Sequence, residues 1–320
     1  EERDIGFDVG VTKVPLVSQS CLFDLGVGSK EVRPTAEMAY QACENAGRSA
    51  PAEGNVGAGT GCSIGKYRGM GRAMKSGFGT YALQTGPLKV GALVAVNALG
   101  DVYGPDGRPA AGLLNEKRTS LSCTLEEMFA DIAPAENLFA GNTTLGVVVT
   151  NGMFDKTPLT KLAGMAHNGY ARAIRPVHTT ADGDSIYALS LGDVPGDINV
   201  VGAMAALTME RAILRAVQSA GSAYGLIGWE GLADRLRSAA HLLSVPNAPF
   251  LKPRETAHTT YLYHLHAEIQ KARRSLRDLR ASWICNVLTP LDGGYAASTI
   301  YSPCCGFENT ICMRLRGGVE

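Results

Sequence analysis

The stretch at residues 140–151 constrains this chain more than any other. Residues 145–149 form a short apolar run rich in valine, and β-branched runs of this length are typical of buried strands. A Gly-Asn-Thr-Thr sequence at residues 141–144 comes directly before the run. The common explanation of such a sequence is a turn, with asparagine in the left-handed region and threonine at the start of the strand.

A second explanation is chemical. A threonine hydroxyl at the mouth of a buried strand can act as a nucleophile when a base lies beside it. Cleavage just before Thr143 would free an α-amine, with a reference pKa of about 7.7–8.0, on the same residue as the hydroxyl. That amine can accept the hydroxyl proton. We therefore interpret Asn142–Thr143 as a self-cleavage site, with the simple turn as the alternative.

Other features accompany this site in a fixed order. A glycine-rich stretch at residues 54–65 precedes Lys66, Asn97 interrupts an apolar run, and an Asp-Gly-Asp turn follows at residues 182–184. With the Asn-Thr-Thr site, these features resemble the L-aminopeptidase/D-esterase family of self-cleaving N-terminal-nucleophile hydrolases. Its relatives include β-peptidyl aminopeptidases and the nylon-oligomer endo-hydrolase. The resemblance covers residues 1 to about 219 and implies an α+β fold, a four-layer α-β-β-α sandwich.

The resemblance also implies the roles of five residues. Thr143 matches the nucleophile, and Asn97 matches a donor to the oxyanion of the tetrahedral intermediate. Lys66 would lower the pKa of the Thr143 amine by like-charge repulsion. Asp182 and Asp184 would orient the threonine or contact a free amine of the substrate. No cofactor and no metal are expected.

Each of these positions also has an ordinary structural explanation. A lysine after a loop is often solvated, a buried asparagine often satisfies a neighbouring turn, and Asp-x-Asp turns often bind their own backbone. The two aspartates are expected on a surface loop, where substitution by asparagine impairs turnover more than stability. Phe23 departs from the family pattern, which commonly carries a tyrosine there, and the loss of that hydroxyl removes a hydrogen-bond donor.

Helix signals occur at three places outside this site. Thr35 is a candidate N-cap, and Thr157 followed by proline predicts the start of a second helix. Apolar residues at helical spacing follow it, Tyr170 among them. A third helix is predicted over about residues 200–219.

The chain divides into three predicted parts. Residues 1–142 match the N-terminal part of the hydrolase domain without its first third, and residues 143–237 match the part that begins with the nucleophile. The turn-rich residues 103–139 predict a mobile linker before the cleavage site. Residues 238–320 match nothing and are an unassigned extension.

Composition excludes several classes of partner. Lysine plus arginine and aspartate plus glutamate both number 30, so no net charge attracts nucleic acid or an anionic membrane. No apolar run is long enough to span a membrane.

The eight cysteines form no CxxC pair, which fits free thiols in the cytoplasm. Histidines and cysteines without typical metal-site spacing gather near the C-terminus: His264, His266, Cys285, Cys304, Cys305 and Cys312.

The favoured function is a self-processing amidohydrolase that removes N-terminal residues from small peptides, amides or esters. We expect a homo-oligomer of processed heterodimers. One alternative is an acyltransferase of the ornithine-acetyltransferase kind, which also cuts itself before a threonine. The other is a truncated, catalytically inactive domain.

Overall fold

A computed structural model describes residues 6–15, 17–47, 49–132 and 141–234, together with the backbone of residues 310–314. Apart from that last strand, the predicted extension at residues 238–320 lies outside the described residues. The end of the predicted linker lies outside them as well, from residue 133 to residue 139.

Strands and helices alternate irregularly along the chain, as in α+β proteins. In chain order they are β1 (Phe7–Asp8), β2 (Lys13–Val14), α1 (Ala36–Glu44), β3 (Ser63–Ile64), β4 (Met74–Lys75), β5 (Phe78–Thr85), β6 (Leu88–Asn97), β7 (Asp101–Tyr103), β8 (Pro109–Ala111), α2 (Thr124–Ala130), β9 (Thr143–Gly152), α3 (Lys156–Ala173), β10 (Ile174–Arg175), β11 (Ser185–Val194), α4 (Ile198–Gln218) and β12 (Thr310–Arg314). The predicted α+β class is confirmed.

A five-stranded sheet with the order β12-β11-β9-β6-β5 organises the molecule. β5 and β6 form an antiparallel hairpin, and β6 is also antiparallel to β9. β11 runs parallel to both β9 and β12. The predicted boundary between residues 142 and 143 therefore separates strands of one continuous sheet, with β5 and β6 on one side and β9 and β11 on the other.

The interior strand β6 is buried on both faces. Alternate residues from Val90 to Val96 belong to the main core, to which α3 and α4 contribute most of their buried side chains. Leu93 and Ala95 point to the other face, where they meet a smaller cluster around Leu22 and Phe78. A strand covered on both faces is expected to have a near-continuous apolar sequence, and such a run leads up to Asn97.

The two N-caps predicted from the sequence have different outcomes. Thr35 caps α1 as predicted, and its Oγ1 accepts a hydrogen bond from the backbone N–H of Met38 at 3.2 Å. The prediction of Thr157 as the second N-cap is wrong, because α3 begins at Lys156 with Asp155 as its N-cap. Pro158 therefore lies within the first turn, where a missing N–H costs no intrahelical bond.

A small three-stranded sheet, with the order β10-β7-β8, also contacts α3 and α4. β7 follows β6 after a short turn, and this turn forms one wall of the site described below. Within the described ranges no helix is both long and apolar enough to cross a bilayer.

Candidate active site

Strand register brings the predicted site residues to one end of the five-stranded sheet. Thr143 is the first residue of β9 and lies opposite Asn97, the last residue of β6. β11 is parallel to β9 and begins at Ser185, directly after the turn at residues 182–184. That turn therefore lies beside Thr143, and an isolated β-bridge joins its first residue to Asn142.

Lys66 reaches the same place from the loop after β3. Two backbone hydrogen bonds of 3.0 Å, from Gly65 N to Gly100 O and from Lys66 N to Leu99 O, attach this loop to the turn after β6. Gly65 has a φ of 65°, and a Cβ there would lie 2.1 Å from the backbone nitrogen of Leu113. Only glycine fits this position. The fold thus brings all five residues predicted from the sequence together.

The carbonyl oxygen of Asn142 lies at the centre of the site. It accepts a hydrogen bond of 2.6 Å from the Oγ1 hydroxyl of Thr143. The backbone N–H of Gly183 donates to the same oxygen at 2.8 Å. The hydroxyl is therefore adjacent to the peptide group that self-cleavage would break, and that group is already polarised by a second donor.

Asn97 is fully buried, and both ends of its amide are occupied. Its Oδ1 accepts from Lys66 Nζ at 2.8 Å and from the backbone N–H of Ser63 at 3.2 Å. Its Nδ2 donates to the Phe23 carbonyl at 3.0 Å and to the Gly141 carbonyl at 3.4 Å. In the uncleaved chain Asn97 thus holds the carbonyl one residue before the Asn142 carbonyl. Its oxyanion role remains a prediction.

Lys66 lies next to Asn97 with its ammonium largely dehydrated. Nζ donates to the backbone carbonyl of Asn97 at 3.2 Å and to that of Gly141 at 3.4 Å. Burial lowers the pKa of Lys66 to about 8, although the nearby carboxylates of Asp182 and Asp184 oppose this shift. Lys66 can therefore change its charge within the pH range in which enzymes work.

Asp184 holds the start of β9 in place. Its Oδ1 accepts the backbone N–H of Thr144 at 2.8 Å, and its Oδ2 pairs with Nδ1 of His178 at 2.9 Å. Nε2 of His178 in turn lies 3.3 Å from Nδ1 of His167. The expectation of a surface-loop aspartate is wrong here, because only 3% of the Asp184 side chain is exposed.

Asp182 has a different position in the same turn. Its Oδ2 accepts from the backbone N–H of Thr179 at 2.9 Å and from the Thr179 hydroxyl at 2.6 Å. Burial raises the pKa of Asp182, against the hydrogen bonds from Thr179. Asp182 therefore fixes the turn itself, whereas Asp184 connects the turn to the strand that carries Thr143.

Three supporting residues were not identified as site residues from the sequence. The fully buried Tyr170 donates its hydroxyl to the carbonyls of Thr144 and Ser185, at 3.2 and 3.1 Å, and so ties β9 to β11. Its helical spacing indicated only a core position. His167 and His178 lie 11 residues apart in the chain, and no local pattern connects them.

Lys75 is a second buried lysine that sequence reasoning missed. It is fully buried, and its ammonium donates to the carbonyls of Gly59 and Cys62 at 3.0 Å each and to that of Ser76. It thereby closes the glycine-rich loop that leads to Lys66. Burial lowers the pKa of Lys75 to about 8.

Lys75 gives a prediction for the pH dependence of stability. Its pKa is lower in the folded chain, about 8, than the ordinary value of 10.5. The unfolded chain therefore binds more protons between these values, and the free energy of unfolding rises with pH there. Lys75→Met should remove about 1 kcal/mol of the rise between pH 8 and 9. Urea unfolding at several pH values measures this.

The comparison is best made in chains that also carry Thr143→Ala, so that no newly freed amine titrates. Lys161→Met, at an exposed position of α3, is the matched control and should keep the full rise. Equal pH dependence in the Lys75→Met and Lys161→Met chains would contradict the role assigned to burial.

No group of three or more histidine, cysteine, aspartate or glutamate side chains that could hold a metal ion occurs within the described parts of the chain. The C-terminal histidines and cysteines of the sequence lie outside those parts, apart from the backbone of Cys312.

A hydroxyl held against a peptide carbonyl, with acid, amide and amine groups around both, is an arrangement suited to an enzyme that hydrolyses amide bonds. The profile of peptidase family S58 matches residues 5–229. The chain belongs to this family and is a hydrolase of peptide or amide bonds by class. The family resemblance predicted from the sequence is confirmed.

Curated relatives agree with this assignment. The chain is 38% identical over 259 residues to an uncharacterised aminopeptidase of Mycobacterium leprae, an alignment that covers 72% of this chain and 69% of the relative. It is 28% identical over 223 residues to the 6-aminohexanoate-oligomer endohydrolase of Paenarthrobacter ureafaciens, which covers 65% and 62% of the two chains.

Two solved structures are also similar. A β-aminopeptidase of Burkholderia sp. is 23% identical with a TM-score of 0.34, over 62% of this chain and 55% of that one. The L-aminopeptidase D-Ala-esterase/amidase of Ochrobactrum anthropi, described as a variant of the Ntn-hydrolase fold, is 22% identical with a TM-score of 0.37, over 60% and 54%. The chain spans about half the length of each of these proteins.

Proposed function

We propose that this chain cuts its own Asn142–Thr143 bond and then hydrolyses small peptides, amides or esters with Thr143 as an N-terminal nucleophile. The observation that carries the proposal is the 2.6 Å contact between the Thr143 hydroxyl and the Asn142 carbonyl oxygen. A threonine at a simple turn needs no such contact. It also needs no lysine, asparagine amide or pair of aspartates beside it.

Self-cleavage would begin with attack of the Thr143 oxygen on the Asn142 carbonyl carbon. The carbonyl π electrons move onto oxygen, and they return as the carbon–nitrogen bond breaks. The hydroxyl proton ends on the released nitrogen of Thr143, and the Asn142 acyl group is now an ester of the threonine. Water then hydrolyses the ester, which yields the Asn142 carboxylate and a free Thr143 amine and hydroxyl.

The processed site would use the new amine as its base. The amine takes the hydroxyl proton while the threonine oxygen attacks a substrate carbonyl. Lys66, at about 3 Å from the Asn97 oxygens, would keep the pKa of that amine low while it is itself charged. Asp184 would hold Thr144, and so the strand end, at a fixed distance from the substrate.

The surroundings of Asn142 indicate where the acyl side of the substrate would bind. Asn142 is only 5% exposed, and its Nδ2 donates to the Ala181 carbonyl at 3.3 Å. A substrate acyl group would take the position that Asn142 holds before cleavage. Because this position is buried, we propose that it takes side chains no larger than that of asparagine.

The two products would remain together after cleavage. β6 from the first product pairs with β9 from the second along residues 90–97 and 143–150. Both strands also contribute to one core with α3 and α4. The functional unit would therefore be a processed heterodimer, and we propose that such heterodimers assemble further.

Intact mass spectrometry of the purified chain tests the proposal. We expect two polypeptides whose masses sum to that of the whole chain plus one water. Edman sequencing of the second should begin Thr-Thr-Leu-Gly-Val. A chain that stays whole after prolonged incubation would instead support an inactive domain. Turnover of alanine p-nitroanilide distinguishes hydrolysis from acyl transfer. Transfer of the alanyl group to water would indicate a hydrolase, and transfer to glutamate would indicate an acyltransferase.

A further inference from the structure

The backbone N–H of Gly183 stands in the position of an oxyanion donor. It lies 2.8 Å from the Asn142 carbonyl oxygen, within the range of about 2.7–3.1 Å at which such donors act on the oxyanion. A second donor to this oxygen is the Thr143 hydroxyl. That bond is lost when the hydroxyl oxygen attacks, so of these two donors only Gly183 can stay on the developing negative charge.

The turn around Gly183 is held from both sides. Before it, Asp182 is pinned by the two bonds from Thr179 and by the β-bridge to Asn142. After it, Asp184 is bonded to the backbone N–H of Thr144. A donor fixed in this way needs no reorganisation as charge develops, which is the condition for strong electrostatic stabilisation.

The absence of a side chain at Gly183 has a steric reason. A Cβ there would lie 2.9 Å from the Thr143 hydroxyl oxygen, closer than real Cβ contacts allow. Any other residue would press on the nucleophile. Glycine lets the backbone N–H approach the scissile carbonyl without this conflict.

Asn97 does not occupy this position in the uncleaved chain. Its Nδ2 donates to the carbonyls of Phe23 and Gly141, and Lys66 Nζ also donates to Gly141. These two residues therefore hold the peptide group that precedes the scissile one. Holding this group fixes the chain on the acyl side, while the oxygen of the reacting carbonyl faces Gly183.

We propose that the Gly183 N–H stabilises the oxyanion formed at the Asn142 carbonyl during self-cleavage and then at the substrate carbonyl in the processed enzyme. The inference rests on the self-processing function proposed above. No proton leaves Gly183 at any step: its N–H strengthens one hydrogen bond as the oxygen becomes negative and relaxes when the carbonyl re-forms.

Replacement of the Gly183 amide by an ester tests this directly. Glycolic acid incorporated at position 183 by nonsense suppression removes the N–H and retains the backbone shape. The rate of self-cleavage should fall by about 10²–10³-fold, the usual effect of losing one oxyanion donor. The matched control is lactic acid in place of Ala181, which removes the 3.2 Å bond from Ala181 N to the Thr179 hydroxyl in the same turn and should change the rate only a few-fold.

The outcomes separate this inference from the function on which it rests. A natural chain that is never cut would overturn both. A natural chain that is cut, together with an ester chain that is cut at the same rate, would overturn only the role of Gly183. Equal slowing by the two esters would also overturn it, because the loss would then reflect the turn and not the donor.

If the chain that carries the ester at position 183 does not fold, an NMR measurement on the natural protein tests the role of the Gly183 N–H. An acetyl-asparagine aldehyde added to the processed natural protein would form a tetrahedral adduct with Thr143. In protein labelled with ¹⁵N-glycine, the Gly183 amide proton should move downfield and exchange more slowly on adduct formation. An unchanged Gly183 resonance in an adduct verified by mass would overturn the proposal.

Discussion

Replacement of Thr143 by alanine is expected to abolish both self-cleavage and hydrolysis while the chain still folds. The variant lacks the oxygen that lies against the Asn142 carbonyl, so neither the ester intermediate nor the free amine can form. The stability cost should be small, on the order of 1 kcal/mol, because only a hydroxyl and a methyl group at a partly exposed strand end are removed. Mass spectrometry, alanine p-nitroanilide turnover and thermal unfolding measure the three quantities.

Two further variants locate the nucleophile. Thr143→Ser keeps the hydroxyl and the latent amine and should retain part of both activities. Thr144→Val should be cut normally and be no less stable, because the Thr144 hydroxyl is buried with no hydrogen-bond partner among the described residues. If the Thr143→Ala chain is cut and the Thr144→Val chain is not, the nucleophile is Thr144 and not Thr143. Normal cutting of both would leave residues 141–144 as an ordinary turn.

Asp184→Asn is expected to slow self-cleavage by on the order of 10²-fold, the effect of a misplacement of about 1 Å in the reacting groups. The carboxylate accepts hydrogen bonds from Thr144 on one oxygen and from His178 on the other. An asparagine has only one accepting oxygen, so its NH₂ group must face one of these donors. The end of β9 would then shift away from the carbonyl that Thr143 attacks.

The same change should also destabilise the fold, by about 1–3 kcal/mol, because a buried donor loses its acceptor. This differs from the expectation for a surface-loop aspartate. Urea unfolding in the Thr143→Ala background measures the cost without interference from cleavage. Asp106→Asn, in an exposed turn where Asp106 accepts the backbone N–H of Arg108, is the control and should alter neither quantity much. If the Asp184→Asn chain is less stable but is cut at the natural rate, Asp184 has a structural role and does not position Thr143.

His167 lies behind the contact between His178 and Asp184 and adds no positive charge there at pH 7. Burial and the neighbouring His178 lower the pKa of His167 to about 4, so His167 is neutral at pH 7. Its Nδ1 lies 3.3 Å from Nε2 of His178, whose Nδ1 lies 2.9 Å from Oδ2 of Asp184. The histidine pair therefore supports the position of the carboxylate that holds Thr144.

The sequence alone was sufficient for features encoded within a few residues. The valine-rich run that follows Thr143 predicted β9, because β-branched side chains pack well in a buried strand. Thr35 predicted the start of α1, because its hydroxyl bonds a backbone N–H three residues later. At α3 the local signal failed, because the helix begins at Lys156, before the predicted N-cap Thr157. The predicted site residues were identifiable mainly through their resemblance to a family.

Tertiary structure alone decided how these residues act. The bond from Thr144 to Asp184 joins positions 40 residues apart, and it depends on the parallel register of β9 and β11. The same register brings Gly183 to the Asn142 carbonyl and buries Asp184 against His178. Lys75 likewise has its charge buried only because the glycine-rich loop folds over it. Such contacts arise when distant segments pack together, so no periodicity, cap or short motif in the chain encodes them.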